Sequence, residues 1–380
     1  MDSSGGSAIP RRRPTERVRG VRANIVSWDG GGLGVDIDVL TRALVQAGCS
    51  VAFKGRRERR PRGRLQSLMM TGGALARQMA ARAGLFRYDV NFFIESVFPE
   101  HLPTARVNCL FVNPEWFRDA NLAHLSSLDV LLCKTPGGVE AMRTLPVACR
   151  DVGFTSPDRR LAVPPGGALR CLHVAGQSAV KGTEAVVDVW SRHPEWPRLT
   201  VVRRRTRYGG GAAPPLPPLP NVEYLVDRVP DDELQALQNS CAIHVQPSLA
   251  EGYGHVIGEA MSCGALVVTT DAPPMNELVA ADRGMLVKVS SVEAHHRSQL
   301  NYVDLDDLER VLVAAFAMPA ERRLLMGQAA RSWFERQDDR FLKAVDGLLE
   351  DLGVRGDRSP RHRPQSPSGS QSPPVTERSR

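Results

Sequence analysis

Residues 247–279 read PSLAEGYGHVIGEAMSCGALVVTTDAPPMNELV. The apolar run from Ala242 to Val245 reads as a strand end just before them. Glu251, Gly252, Tyr253 and Gly254 form a turn with little side-chain bulk. His255 to Cys263 then carries apolar residues at helical spacing, and Gly264 sits where a helix-ending glycine belongs. Ala265 to Thr270 is a second β-rich run, broken by Asp271-Ala-Pro-Pro. The stretch is therefore strand, glycine loop, helix, strand.

A glycine loop feeding a helix start presents unpaired backbone N–H groups and the positive end of the helix dipole. A phosphate can sit there. Glu251 lies in the loop and Glu259 lies two turns along the helix, roughly 10 Å away at 1.5 Å per residue. At that separation they are not a touching carboxylate pair, but they can hold two ends of one elongated ligand. The competing reading is a plain βαβ unit with two solvated glutamates.

The pattern P-S-x-x-E-G-x-G-x-x-x-x-E-A-x-x-x-G resembles the Glu-x7-Glu signature of retaining glycosyltransferases of the family-four type. The resemblance implies a GT-B fold: α/β, with two Rossmann-like doubly wound domains facing across a cleft. It implies that Glu251 faces the donor sugar and the reaction centre, and that Glu259 binds the nucleotide ribose. Gly252, Tyr253, Gly254 and His255 become donor-binding candidates. His255 alternatively reads as a surface histidine at a helix start.

Bulk composition agrees with an ordinary globular protein. The 380 residues are 42% hydrophobic and 24% charged, enough for two domains with their own cores. No apolar run approaches the roughly 18 residues a bilayer span needs. No signal peptide is legible, and the expected location is cytoplasmic, with the inner membrane face as an alternative. The seven cysteines are scattered without a C-x-x-C pair, and read as thiols rather than disulfides or a zinc site. The formal charge of +7 is concentrated in Arg11 to Arg22, Lys54 to Arg64, Arg203 to Arg207 and the C-terminal tail. Such runs read as solvated loops and tails or as contacts to anionic lipid. No aromatics interleave them, so nucleic-acid binding is disfavoured.

Taken in order, residues 1–19 and 354–380 are expected to be disordered, the first of them basic. Residues 20–165 are expected to form a Rossmann-like acceptor domain, completed by a crossover helix at about 333–352. Residues 168–330 are expected to form the nucleotide-sugar donor domain, after a linker beginning near Asp158. Asn24 to Trp28, Val51 to Phe53, Val90 to Ile94, Cys109 to Val112 and Val130 to Cys133 read as strands. Ligands in open α/β sheets sit outside strand carboxyl ends. Glu95, Asn113, Glu115 and Lys134 follow such ends and are cleft candidates. Residues 65–85 read as a helix that packs on the sheet or touches a membrane surface.

The family resemblance extends these assignments. Gly32 and Gly34 occupy the place of a glycine turn that lets amides approach the donor diphosphate. Lys181, next to Gly182, matches a phosphate-binding lysine at the start of a donor-domain helix. Gln177 stands where an arginine is usual, and Arg203 or Arg204 is a candidate for the missing charge. The base is expected near residues 226–229, and Asp231 or Asp232 caps the helix that follows. A family histidine of the first domain has no counterpart at a strand end; Asn113 or Glu115 would replace it. No metal-binding motif is singled out in the sequence, so neither metal nor other cofactor is expected beyond the nucleotide sugar. The rival readings are a sugar phosphorylase or sugar-nucleotide epimerase on the same fold, and a sugar-nucleotide-binding protein without turnover.

Overall fold

The computed structural model describes residues 20–28, 33–56, 79–162, 169–205 and 212–355. The expected N-terminal tail, the expected C-terminal tail beyond Arg355, Gly32, most of the 65–85 helix and most of the Lys54 to Arg64 run lie outside these residues.

The first sheet has six parallel strands: β1 (Arg22–Trp28), β2 (Ser50–Arg56), β3 (Tyr88–Ile94), β4 (Ala105–Phe111), β5 (Val130–Cys133) and β6 (Cys149–Asp151). Their order is β2-β1-β3-β4-β5-β6. Helix α1 (Leu33–Gln46) returns from β1 to β2, burying Ile37, Val39, Leu40, Ala43 and Leu44 against the sheet. Helix α2 (Pro136–Met142) follows β5, its start capped by Thr135, whose Oγ1 accepts from Gly138 N at 3.2 Å. Asparagines pair across the buried sheet. Asn24 Nδ2 donates to Asn91 Oδ1 at 2.8 Å, and Asn91 Nδ2 to Asn108 Oδ1 at 2.9 Å. The register that sets these three opposite each other gives partners to buried NH2 groups that would otherwise be costly, leaving Asn24 Oδ1 without a donor.

The second sheet repeats the plan with β7 (Cys171–Gly176), β8 (Leu199–Arg203), β9 (Val222–Leu225), β10 (Ile243–Gln246), β11 (Leu266–Thr270) and β12 (Met285–Val287). Its order is β12-β11-β10-β7-β8-β9. Helices α3 (Thr183–Ser191), α4 (Asp231–Ser240) and α5 (His255–Cys263) connect the strands. Gly264 ends α5 at φ 74°, as its position in the sequence implies. The α4 cap differs from expectation: Pro230 occupies the N-cap without a side-chain bond, and Asp231 instead takes Arg159 Nη1 at 2.9 Å.

Two features were not legible. An antiparallel hairpin, β13 (Val289–His295) with β14 (Ser298–Val303), follows β12. After α6 (Leu305–Ala317), the crossover helix expected at about 333–352 begins earlier, as part of one continuous 32-residue helix, α7 (Ala320–Asp351). Residues 152–156, just before the expected linker, are buried.

Each sheet has one point where the chain changes winding direction. In the first, β1 leads outward to β2 and then back to β3 on its other side. In the second, β7 leads to β8 and β9, then back to β10. The crevice outside the strand ends at such a point is where open α/β sheets bind ligands. Asp36 and Glu95 follow β1 and β3; Lys181 and Glu251 follow β7 and β10. One apolar core spans the two sheets, joining Phe92, Phe111 and Phe154 to Tyr253, Ile257, Met261 and Phe341.

Candidate active site

The second sheet supplies an ion pair. Lys181 Nζ lies 2.5 Å from Glu251 Oε1, and both side chains are largely buried. The turn before α3 places this lysine. Gly182 has φ 71°, and a Cβ there would lie 2.1 Å from Pro247 O, so the turn packs flat against the loop after β10. Leu249 N donates to Val180 O at 2.8 Å and closes the contact. Beneath it, His173 Nδ1 donates to Val245 O at 2.7 Å, so its Nε2 accepts from Thr183 Oγ1 at 2.9 Å. Burial lowers the His173 pKa to about 4, leaving the ring neutral.

Glu259 faces α4, where its Oε2 accepts from Gln238 Nε2 at 2.7 Å. Arg159 Nε donates to Gln238 Oε1 at 2.8 Å. Burial raises the Glu259 pKa, with His255, Gln238, Arg159 and Lys181 opposing it. Glu251 and Glu259 thus point to separate partners, as their spacing requires.

The loop between them touches the first sheet. A Cβ on Gly252 would fall 2.4 Å from Asn113 Oδ1 and 2.9 Å from Glu115 Oε1. Only glycine lets these surfaces meet. Gly254 is the α5 N-cap at φ 105°. The Tyr253 side chain is 4% exposed and packs edge-on against Phe154, ring centroids 5.6 Å apart, and its hydroxyl is buried without a hydrogen-bond partner.

The first sheet contributes a buried pair. Lys134 Nζ donates to both Asp36 oxygens at 2.7 Å. His255 Nε2 lies 2.9 Å from Asp36 Oδ1, and its Nδ1 lies 3.1 Å from Ser156 Oγ. Burial pushes the Asp36 carboxyl up, but the Lys134 charge and the His255 bond and charge overcome this and hold it at about 2. Asn113 Nδ2 reaches Glu95 Oε2 at 3.4 Å. Burial raises the Glu115 pKa to about 8, against Lys134, with Glu251 and Glu95 adding to the rise.

Other candidates fall elsewhere. Gly34 lies inside the first turn of α1, with nothing within 4 Å of a Cβ. Gln177 is in the turn after β7. Arg203 is buried at the end of β8, 4.0 Å from Glu184 on α3, whereas Arg204 is exposed. The loop at 226–229 follows the edge strand β9.

Asp36, Ser156 and Gln238 were missed. Asp36 shares an i, i+3, i+4, i+7 stripe with Val39, Leu40 and Ala43, and an acid within such a stripe signals a buried partner. Glu277 Oε1 accepts from Gly137 N at 2.8 Å, bridging the sheets. Nothing local in the sequence marks that contact.

Two facing Rossmann-like units with their switch points opposed define a GT-B protein. Solved structures of that architecture superpose on the chain. The Anabaena protein HepE, in complex with UDP and glucose, is 14% identical with a TM-score of 0.64, covering 88% of this chain and 99% of its own. A glycosyltransferase from Rickettsia africae is 10% identical with a TM-score of 0.66, covering 89% and 100%. Sucrose-phosphate synthase from Thermosynechococcus elongatus is 14% identical with a TM-score of 0.64, covering 89% and 100%. Residues 219–313 match the family model described as Glycosyl transferases group 1. Over 66 residues the chain is 39% identical to the Escherichia coli O-antigen chain mannosyltransferase B, a match spanning 17% of each chain. No helix among the described residues is long and apolar enough to cross a membrane.

Proposed function

We propose that the protein is a retaining glycosyltransferase that moves a sugar from a nucleoside-diphosphate sugar to an acceptor hydroxyl. The observation that carries this reading is the Lys181–Glu251 contact of 2.5 Å, set at one switch point and facing Asn113 and Glu115 across Gly252. A donor diphosphate would take over Lys181 as its counter-charge and release Glu251 to the sugar ring. The amides of residues 252–255 and the start of α3 would complete the phosphate grip, Gly34 would approach from the other side, and Glu259 would take the ribose. UDP in the HepE complex supports a nucleotide donor.

In the reaction the bond from the anomeric carbon to the phosphate oxygen breaks and the acceptor oxygen bonds to that carbon on the same face. The nucleoside diphosphate leaves with the electron pair and receives the acceptor proton on its phosphate oxygen. Charge on the diphosphate grows as the bond breaks, so a grip strongest at that moment accelerates transfer. No protein nucleophile and no metal is required, and activity is expected to persist in EDTA. Seven free cysteines suit a reducing compartment.

A thermal-shift panel of nucleoside-diphosphate sugars tests the reading. A true donor at about 100 times its dissociation constant stabilises by about 2.7 kcal/mol. Glu251→Ala is expected to keep that shift and lose transfer. A panel in which no nucleoside-diphosphate sugar moves the melting temperature refutes the proposal.

A further inference from the structure

The first sheet ends beside Glu251 in a group of oxygens that the donor reading leaves unused. Glu95, immediately after β3, has φ 64°, one of two non-glycine residues with positive φ among those described. Side chains persist in that region only where the surroundings enforce it, and such sites cluster where ligands bind. Here the enforcement is visible. Glu95 N donates to Phe111 O at 2.9 Å, and Asn121 Nδ2 donates to Glu95 O at 2.9 Å. Asn121 is itself fixed, accepting from Val97 N at 2.9 Å.

Next to it stand Asn113, 7% exposed, and Glu115, 4% exposed. Asn113 Oδ1 and Glu115 Oε2 are buried acceptor atoms without a hydrogen-bond donor. Unsatisfied buried oxygens of this kind call for a donor from a ligand. Asn113 Oδ1 and the other Glu115 oxygen, Oε1, crowd Gly252, one residue from Glu251.

Among the described residues, the cations beside this group already have partners. Lys134 is held by Asp36 and Lys181 by Glu251. Arg118 sits over the Trp28 ring at 5.5 Å, and its charge serves Glu95. Arg297, beside Pro114, lies over the Phe117 ring at 5.9 Å. An arriving anion would have to displace one of these partners to gain a counter-charge. Trp116, the residue after Glu115, keeps 39% of its surface exposed. The hairpin tip braces it: His295 and His296 contact its ring at 5.3 and 6.0 Å, and Arg297 N donates to Pro114 O at 3.1 Å. An exposed indole flanking a wall of acceptor oxygens suits a sugar ring, apolar on its C–H face and donor-rich at its hydroxyls.

We propose that Glu95, Asn113 and Glu115, flanked by Trp116, form the acceptor seat, and that it takes a neutral sugar through its hydroxyls while rejecting sugar phosphates and uronic acids. This rests on the transfer reading above and names the acceptor class for the same site.

The test uses saturation-transfer NMR on the full-length protein with methyl α-mannoside and methyl α-glucoside, set against mannose 6-phosphate and glucuronate. Wild type is expected to bind at least one methyl hexoside and neither anion. Glu95→Gly removes the carboxylate at a backbone conformation glycine adopts freely, so the fold is kept. It should weaken methyl hexoside binding roughly tenfold, the worth of a hydrogen bond to a charged group. Its thermal shift with nucleoside-diphosphate sugars should equal that of wild type. Equal binding of the anions, an unchanged affinity in Glu95→Gly, or no binding of either hexoside overturns the seat. Hexoside binding that responds to Glu95→Gly in a protein no nucleoside-diphosphate sugar stabilises would leave the seat standing and remove the transfer reading.

Discussion

His255 Nε2 lies 2.9 Å from Asp36 Oδ1, and this bond ties the first turn of α5 to the first turn of α1 across the two sheets. Because the carboxylate accepts, Nε2 carries the hydrogen, while Nδ1 lies 3.1 Å from Ser156 Oγ. Lys134 approaches the same carboxylate from β5. Asp36 therefore holds a cation from its own sheet and an imidazole from the other.

Asp36→Asn leaves the Lys134 ammonium buried without its counter-charge. Breaking a buried pair from one side costs about 3–5 kcal/mol. Urea unfolding should show a loss in that range. The double variant Asp36→Leu, Lys134→Met should lose clearly less than the sum of the two single variants. An additive double variant would mean the pair is not coupled.

The Asp36 pKa of about 2 gives the acid limb a sign. The folded value lies below the unfolded one, so the stabilisation is complete above about pH 4 and is lost as pH falls through about 2. Wild type should lose stability over that window more steeply than Asp36→Asn, as read from urea midpoints at stepped pH.

Glu115 has the opposite sign. Its folded pKa of about 8 exceeds the ordinary 4.5 of a glutamate, so its favourable contribution is full below 4.5 and lost as pH rises through about 8. Glu115→Gln should flatten this slope. The variant is expected to gain on wild type by a few kcal/mol at the alkaline end, at about 1.4 kcal/mol per pH unit traversed. A melting-temperature difference between the two proteins that is independent of pH contradicts the assignment.

Lys181→Met removes the proposed diphosphate charge. A contact to a charged group contributes about 1.5–3 kcal/mol, so donor affinity should fall roughly ten- to a hundredfold. Titration calorimetry with the donor found in the thermal panel measures this. Unchanged affinity would place the diphosphate elsewhere.

Gly34 and Gly252 separate two uses of a missing side chain. A Cβ at Gly34 meets nothing within 4 Å, so Gly34→Ala should add up to about 1 kcal/mol of helix stability while weakening the donor. Gly252→Ala drives a methyl into Asn113 and should cost about 1–3 kcal/mol by overpacking, with transfer lost. Melting curves and transfer assays on the two variants check both claims.

Much of the second unit was legible because its signals are local. The 255–263 helix, its glycine stop and the strands on either side follow from spacing and punctuation over a few residues. Tyr253 shows where that ends: a tyrosine between two glycines in a binding loop looks like a ligand contact, and its packing on a phenylalanine nearly a hundred residues earlier is not visible there. Asp36, Ser156 and the Glu277 contact escaped for the same reason, since each involves a residue of the opposite sheet. The hairpin at 289–303 escaped because its strands are mostly solvent-facing and lack an apolar alternation.

The last helix, Ala320–Asp351, touches both α5 and α1, and its Phe334, Phe341, Val345, Leu348 and Leu349 sit in the core shared by both halves. During translation the first sheet would emerge complete while the piece that covers it is still unmade. At about 5–20 residues per second the ribosome needs on the order of ten seconds or more to deliver it. For that interval the nascent chain carries an uncovered apolar face, a binding site for chaperones that vanishes once synthesis passes residue 351.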